Sequence, residues 1–317
     1  MLSPRNYGFE LVRATEAAAI EAGRFMGLDQ RTKADEAATL AMRNVLNDLH
    51  FQGRIVVGEE LRLNNQSLFS SGQKIGTGEG EETEIVADAI DGHRLLAHGD
   101  AGVLSAVAIA SRGSMWSPFP AAYMDKLVVD HEVADAIVPE MMDAPVAWTL
   151  SLIANIKQKE VRDLVVFVLN RRRHRDLVNE IRAVGARVML RLDGDISGAL
   201  LAAFGKIDLM LGIGGASEGI MAACAVKSLG GAMLGRLAPQ SNKERAAVKE
   251  AGLDTQRILT VDEMVKGDGI FFAATGITDG PLLDGVRYRG KWCETHSLLL
   301  CHHTRARRFI RAEQYLE

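Results

Sequence analysis

Cysteine is scarce, with Cys224, Cys293 and Cys301 the only 3 in 317 residues. An odd number spread so thinly argues against a disulfide framework, and all three read as reduced thiols. Long apolar runs are missing as well. No stretch is long enough to span a bilayer, and Met1 to Arg13 carries charges where a secretory leader needs an unbroken apolar core. The expectation is a cytoplasmic protein with no membrane partner. Neither charge sign dominates: 37 basic against 41 acidic residues leave a net charge of −4. That balance gives no general reason for nucleic-acid binding, so any anion site has to be built locally. Internal repeats and low-complexity tails are absent. The glycine-rich run from Gly212 to Gly219 lacks one glycine of a dinucleotide fingerprint, because Ser217 stands there, and a nicotinamide cofactor is not expected. Cys293, His296, Cys301, His302 and His303 straddle a predicted strand whose alternate side chains face opposite ways, which argues against a zinc site.

What is present is the composition of a soluble globular protein, 47% hydrophobic and 25% charged, in a chain long enough for two packed halves. Helical spacing of apolar residues predicts helices over 9–27 and 32–49, with Gly27 and Gly53 where they would end. Strands are predicted over 54–57, 84–88, 103–110 and 126–129, with a polar, glycine-rich connection from 64 to 82 that is long enough for a lid or an unstructured loop. A helix over 145–159 follows, with Pro145 at its start. From there the types alternate: strand 164–169, helix 173–184, strand 187–192, helix 197–204, strand 208–211, helix 218–229. Such alternation predicts an α/β layer with parallel strands. Helices near 242–250 and 262–266 precede a strand at 270–274, and short strands at 297–302 and 308–310 close the chain.

Three groups of residues carry chemistry. The run Ile85-Val86-Ala87-Asp88-Ala89-Ile90-Asp91-Gly92-His93 reads as a strand entering a tight turn, with two carboxylates at one strand end. Oxygen donors in that arrangement suit hard cations such as Mg²⁺ or Mn²⁺. A second strand ends in Gly58-Glu59-Glu60 and adds an acid if it lies in the same sheet, while Asp35 near the start of the second helix complements the helix dipole. The third group is a set of strand-end loops in the second half, which face one way in a parallel sheet. Asn170-Arg171-Arg172-Arg173-His174 brings three guanidinium groups to a helix start, where an anion is readily held. Asp193-Gly194-Asp195 offers acceptors for sugar hydroxyls or a cap for the next helix. In Gly212 to Gly219 the backbone can approach a ligand closely, and Glu218 can reach a metal.

The Asp-x-x-Asp-Gly run resembles the signature of the lithium-sensitive, magnesium-dependent sugar-phosphate and inositol-phosphate phosphatases. Over nearly the whole chain the pieces resemble, in order, the class II (bacterial-type) fructose-1,6-bisphosphatases. Agreement runs through Glu10 to Glu16, Ala34-Asp35, Gly53 to Glu59, Lys74 to Gly78, Tyr123 to Lys126, Arg173-His174, Asp193 to Asp195, Gly212 to Ala216, Glu218-Gly219, Gly235 to Leu237 and Ala273 to Thr278. The resemblance implies a layered αβαβα sandwich with a mixed N-terminal sheet and a partly parallel second sheet. It also implies a metal-binding half over 1–160, an α/β half carrying sugar-phosphate loops over 161–317, and a homodimer or homotetramer. Asp35, Glu59, Asp88, Asp91 and Glu218 match metal ligands. Asp91, Gly92, His93, Tyr123, Arg171, Arg172, Arg173, Asp193, Gly194, Asp195 and Gly215 match positions around the sugar bisphosphate. The implied reaction is hydrolysis of the 1-phosphate of fructose 1,6-bisphosphate, as in gluconeogenesis, with Mg²⁺ or Mn²⁺ and with His93, Glu59 and Asp88 at the chemical step.

Four positions depart from the family pattern. His93 stands for the Thr that positions or deprotonates the attacking water, Leu63 for an acid that assists it, Arg31 for a Lys and Ala89 for a Pro, while Asp91 is an allowed alternative to Glu. An imidazole can itself serve as a base near neutral pH. Three readings follow: an active bisphosphatase, one retuned to a related substrate such as sedoheptulose 1,7-bisphosphate, and a catalytically impaired paralogue that binds sugar phosphate as a sensor or subunit.

Overall fold

A computed structural model describes residues 7–58, 60 and 68–316. They form two compact units, one from the chain up to Ser117 and again from Lys266, the other from Pro118–Val265. The first unit opens with helices α1 (Tyr7–Gly23) and α2 (Arg31–Asn47). Helix α1 buries Leu11, Val12, Ala14, Ala18, Ala19 and Ala22 on one stripe, as the apolar spacing requires. It ends short of the predicted boundary, because Gly27 lies in a turn at φ 75° whose N–H donates to the Leu96 carbonyl at 2.9 Å. Then come β1 (Phe51–Ile55), β2 (Lys74–Ile75), β3 (Glu81–Asp91), the short helix α3 (His93–His98) and β4 (Leu104–Ser111). Strand β2 and the start of β3 occupy part of the connection predicted as a lid or loop.

The second unit runs β5 (Tyr123–Val129), α4 (Val146–Ile156), β6 (Val165–Leu169), α5 (Arg175–Ala183), β7 (Arg187–Arg191), α6 (Asp195–Ala203), β8 (Leu209–Gly215), α7 (Ala216–Leu229), β9 (Ala232–Leu237), α8 (Asn242–Glu250) and β10 (Ile258–Thr260), closed by a helical turn, α9 (Val261–Met264). The chain then rejoins the first unit as β11 (Phe271–Gly276), β12 (Arg287–Arg289), β13 (Trp292–Cys301) and β14 (Ala306–Tyr315).

Each unit has its own sheet. The first orders its strands β12-β13-β11-β4-β3-β1-β2, with β14 on β13. It is mixed: β1 runs parallel to β3, whereas β3 and β4, β4 and β11, and β11 and β13 are antiparallel. Helix α1 packs against β4, β11 and β13, which makes an αβ pair of layers. The second sheet is ordered β10-β9-β5-β8-β6-β7, with β6 parallel to β7 and β8, and β5 antiparallel to β8 and β9. Side-chain alternation sends Leu127, Val129, Val166, Val168 and Leu209 into one core with Leu150 and Ile153 of α4 and Val178 and Ile181 of α5. Helices α6 and α7 cover the other face, so this unit is αβα. The mixed first sheet, the partly parallel second sheet and the α/β layers within the units agree with the expected fold class.

The boundary between units differs from the division expected at residue 160. Residues 118–160 belong to the second unit, and the chain after Lys266 returns to the first sheet, where β11 pairs with β4 from Phe271↔Ile109 to Gly276↔Leu104. Nothing local in a short apolar strand states which sheet it will join. The glycines at 212, 214 and 215, expected in a loop, lie within β8, held there by pairing with β5 from Lys126↔Gly212 to Tyr123↔Gly215.

Candidate active site

Because β6, β7 and β8 are parallel and β5 is antiparallel to β8, the carboxyl ends of three strands and the start of β5 meet at one edge of the second sheet. The predicted loops are there. Arg171 is held by the Leu192 carbonyl and by an ion pair with Asp193, both partly buried. Arg172 is exposed and begins a 3₁₀ turn, Arg172–His174, ahead of α5. Arg173 donates twice to the Ile213 carbonyl, from Nε at 3.2 Å and Nη2 at 2.6 Å, and lies over the Tyr123 ring at 5.2 Å from its centroid. Tyr123 in turn is placed by Glu244 of α8, whose Oε1 accepts from the Ala122 N–H at 2.8 Å and the Tyr123 N–H at 3.1 Å.

Asp195 opens α6 behind Gly194, which takes φ 100°. Its Oδ2 accepts from Lys126 Nζ at 2.9 Å and from the Gly215 N–H at 2.7 Å, and Lys126 also donates to the Gly215 carbonyl at 3.0 Å. The lysine is only 1% exposed, so this charge is compensated wholly inside the fold. Asp195 Oδ1 is buried with no hydrogen-bond partner among the described residues. Such an acceptor is costly unless a donor reaches it, which suits a ligand hydroxyl. The close approach requires glycine: a Cβ on Gly214 would lie 1.9 Å from Asp195 Oδ2, and one on Gly215 would lie 1.8 Å from Glu218 Oε2. Glu218, buried in the first turn of α7, accepts from Ser217 Oγ at 2.8 Å.

In the first unit the two acids of β3 are brought to one side by a bulge. Asp88 lies opposite Ala106 and Asp91 opposite Leu104, so three residues on β3 match two on β4. Ala106 and Leu104 are two apart and share a face, and their partners therefore share it too, which regular pleating would forbid for residues three apart. Both carboxylates are 4% exposed. Asp88 Oδ1 accepts the Ile90 N–H at 3.0 Å, and Gly92 at φ 118° turns the chain into α3. His93, the first residue of α3, places Nε2 2.9 Å from Oδ1 of Asp35 on α2. A carboxylate only accepts, so Nε2 carries a hydrogen and donates it to Asp35. Glu59 and Leu63 lie outside the described residues. Glu60 turns back, its Oε1 accepting the Ser71 N–H at 3.0 Å. Among the described residues no three His, Cys, Asp or Glu side chains are grouped as a metal site.

Sequence reasoning missed Lys126, His174 and Glu244 as parts of this machinery. Lysine in the run Met124 to Val129 was a visible signal, since a charge in a buried strand needs a partner. Glu244 was visible only as half of the Ser241-x-x-Glu244 cap, whose Ser241 Oγ accepts the Glu244 N–H at 3.1 Å.

Comparison with known proteins shows what the chain is similar to. Residues 5–314 match the family model described as bacterial fructose-1,6-bisphosphatase, glpX-encoded. The fructose-1,6-bisphosphatase class 2 of Haemophilus influenzae is 35% identical over 328 residues, covering 99% of this chain and 97% of the relative. A Synechococcus protein named D-fructose 1,6-bisphosphatase class 2/sedoheptulose 1,7-bisphosphatase is 36% identical over 330 residues, covering 96% of this chain and 94% of the relative. Among solved structures, the extragenic suppressor protein suhB from Bartonella henselae aligns with a TM-score of 0.37 at 14% identity, over 65% of this chain and 75% of that one, a likeness too slight to bear on function.

Proposed function

Because this chain belongs to the glpX-encoded bacterial fructose-1,6-bisphosphatase family, we propose that it hydrolyses the 1-phosphate of fructose 1,6-bisphosphate to fructose 6-phosphate and inorganic phosphate. What supports the reading is that Tyr123, Arg171, Arg172, Arg173, Asp193, Gly194, Asp195 and Gly215, the positions that match the family's substrate loops, lie at one edge of the second sheet, where Asp195 Oδ1 is buried with no hydrogen-bond partner among the described residues. The guanidinium groups of Arg171 to Arg173 receive the remote phosphate, and Asp193 and Asp195 accept from sugar hydroxyls. Binding energy at the remote phosphate orients the reacting one.

Buried Asp88 and Asp91, which share a face at the β3 bulge, fit a hard divalent cation. By resemblance alone, Asp35, Glu59, Asp88, Asp91 and Glu218 are the residues that would hold Mg²⁺ or Mn²⁺. When bound, the cation neutralises phosphoryl oxygens and lowers the pKa of water. His93, held by Asp35, stands where the family has its Thr and is assigned the proton of the attacking water. By resemblance, Glu59 and Asp88 are assigned to the same step. The resemblance supports a cytoplasmic homodimer or homotetramer.

The test is phosphate release from fructose 1,6-bisphosphate with Mg²⁺ or Mn²⁺, run beside His93→Thr combined with Leu63→Asp. Wild-type turnover is expected. If the wild type binds sugar phosphate but turns nothing over, and the double variant gains activity, the chain is a sensor or subunit instead. The name of the Synechococcus relative favours sedoheptulose 1,7-bisphosphate as a second substrate, which a panel of sugar bisphosphates tests by comparing kcat/KM.

A further inference from the structure

We propose that His174 is a positioning residue that clamps the arginine loop after β6 to the end of β8 and so presets the phosphate-binding guanidinium of Arg173. The identity of the phosphate ligand rests on the bisphosphatase reading above, whereas the clamp itself stands on geometry. His174 is 3% exposed and lies directly behind Arg171 to Arg173. Its Nδ1 is 2.8 Å from the Leu169 carbonyl, which can only accept, and its Nε2 is 2.8 Å from the Ile213 N–H, which can only donate. These two neighbours dictate one state, the neutral ring with its proton on Nδ1.

The clamp continues into the site. Ile213 gives its N–H to His174 and its carbonyl to both Nε and Nη2 of Arg173, which then lies over Tyr123. One imidazole thus joins two neighbouring strand ends and, through a single peptide, the arginine that faces the ligand. Gly212 makes the room: it takes φ 117°, and a Cβ there would stand 2.9 Å from His174 Nε2. No other residue type satisfies both demands.

A protonated ring would break the clamp, because an N–H at Nε2 would face the Ile213 N–H. Burial, the larger influence, and the neighbouring Arg173 and Arg171 hold the His174 pKa below its ordinary value, while the Leu169 carbonyl and Asp195, itself paired with Lys126, oppose them. The ring therefore stays neutral through the neutral range, and phosphate affinity falls once acid reaches it.

Equilibrium binding of fructose 6-phosphate to the whole chain tests this without needing turnover. His174→Ala is expected to weaken binding at pH 8 by about ten-fold, the loss that follows from two hydrogen bonds. His174→Gln keeps a donor and an acceptor and cannot titrate, so it is expected to stay within about three-fold of wild type at pH 8 and to lose less affinity in acid than the wild type, both sharing the loss that comes from protonation of the ligand's phosphate. In the wild type, the His174 imidazole nitrogens observed by NMR should show the Nδ1–H tautomer, and the acid weakening in excess of that seen in His174→Gln should have the midpoint at which this ring titrates. If His174→Ala binds like wild type, or the ring is already protonated at neutral pH, the clamp is overturned while the bisphosphatase reading stands. Failure of the wild type to bind fructose 6-phosphate overturns both.

Discussion

Lys126 brings a full charge to a position 1% exposed, and the cost of taking it from water is met by two acceptors, Asp195 Oδ2 and the Gly215 carbonyl, while the Gly215 N–H donates to the same carboxylate oxygen. The pair contributes less by net energy than by geometry, since it ties β5, the start of α6 and the end of β8 together where the loops converge. Removing one partner leaves the other charge uncompensated. Lys126→Met is expected to lower unfolding free energy by about 3 to 5 kcal/mol, read from urea denaturation, with Asp195→Asn in the same chain recovering part of the loss. A midpoint unchanged in the single variant would show that the pair does not anchor the loops. At this scale the acids at 88 and 91, the arginine run and Asp193 to Asp195 were legible in sequence, because charged and glycine residues at strand ends are unusual. Lys126 stood in plain view within an apolar run, yet its partner lies 69 residues away and no local pattern names it.

Among the elements, β6 to α7 follow the predicted alternation within about two residues at most ends, because each is a short apolar segment set off by turn residues. Strand β9 was not foreseen. Its sequence Ala-Met-Leu-Gly-Arg-Leu is interrupted by Gly235, and that glycine is required by tertiary contact, since a Cβ would lie 2.8 Å from Met124 Sδ on β5. The bulge in β3 was equally hidden, being a property of the register with β4 rather than of the strand alone. Helix α8 illustrates how an element serves a site from behind: the carboxylate of Glu244, in its first turn, holds two backbone N–H groups at the entrance to β5. Glu244→Ala is expected to raise KM for the sugar bisphosphate several-fold, through looser placement of Tyr123, with a smaller change in kcat. A kcat loss with KM unchanged would contradict that placement role.

At the scale of the whole molecule, the second unit is one continuous stretch of chain with a core shared by α4, α5 and its own sheet. Its flanks are brought together, the Lys266 N–H donating to the Ser114 carbonyl at 2.7 Å, so the unit resembles an insertion into the first. Pro118–Val265 expressed alone is expected to unfold cooperatively with a helical far-ultraviolet spectrum; a broad, non-cooperative transition would show that it depends on the first unit. Sequence by itself determined the α/β class, the alternating second-half elements, the family, and the charged and glycine residues at the strand ends of the candidate site, because those depend on local periodicity and on short motifs. Tertiary structure decided which sheet the last strands join, that Asp88 and Asp91 share a face, that Lys126 neutralises Asp195, and that His174 bridges the ends of β6 and β8. Each of these is a pairing between residues or strands whose partner or register local pattern does not state, set by strand order and packing.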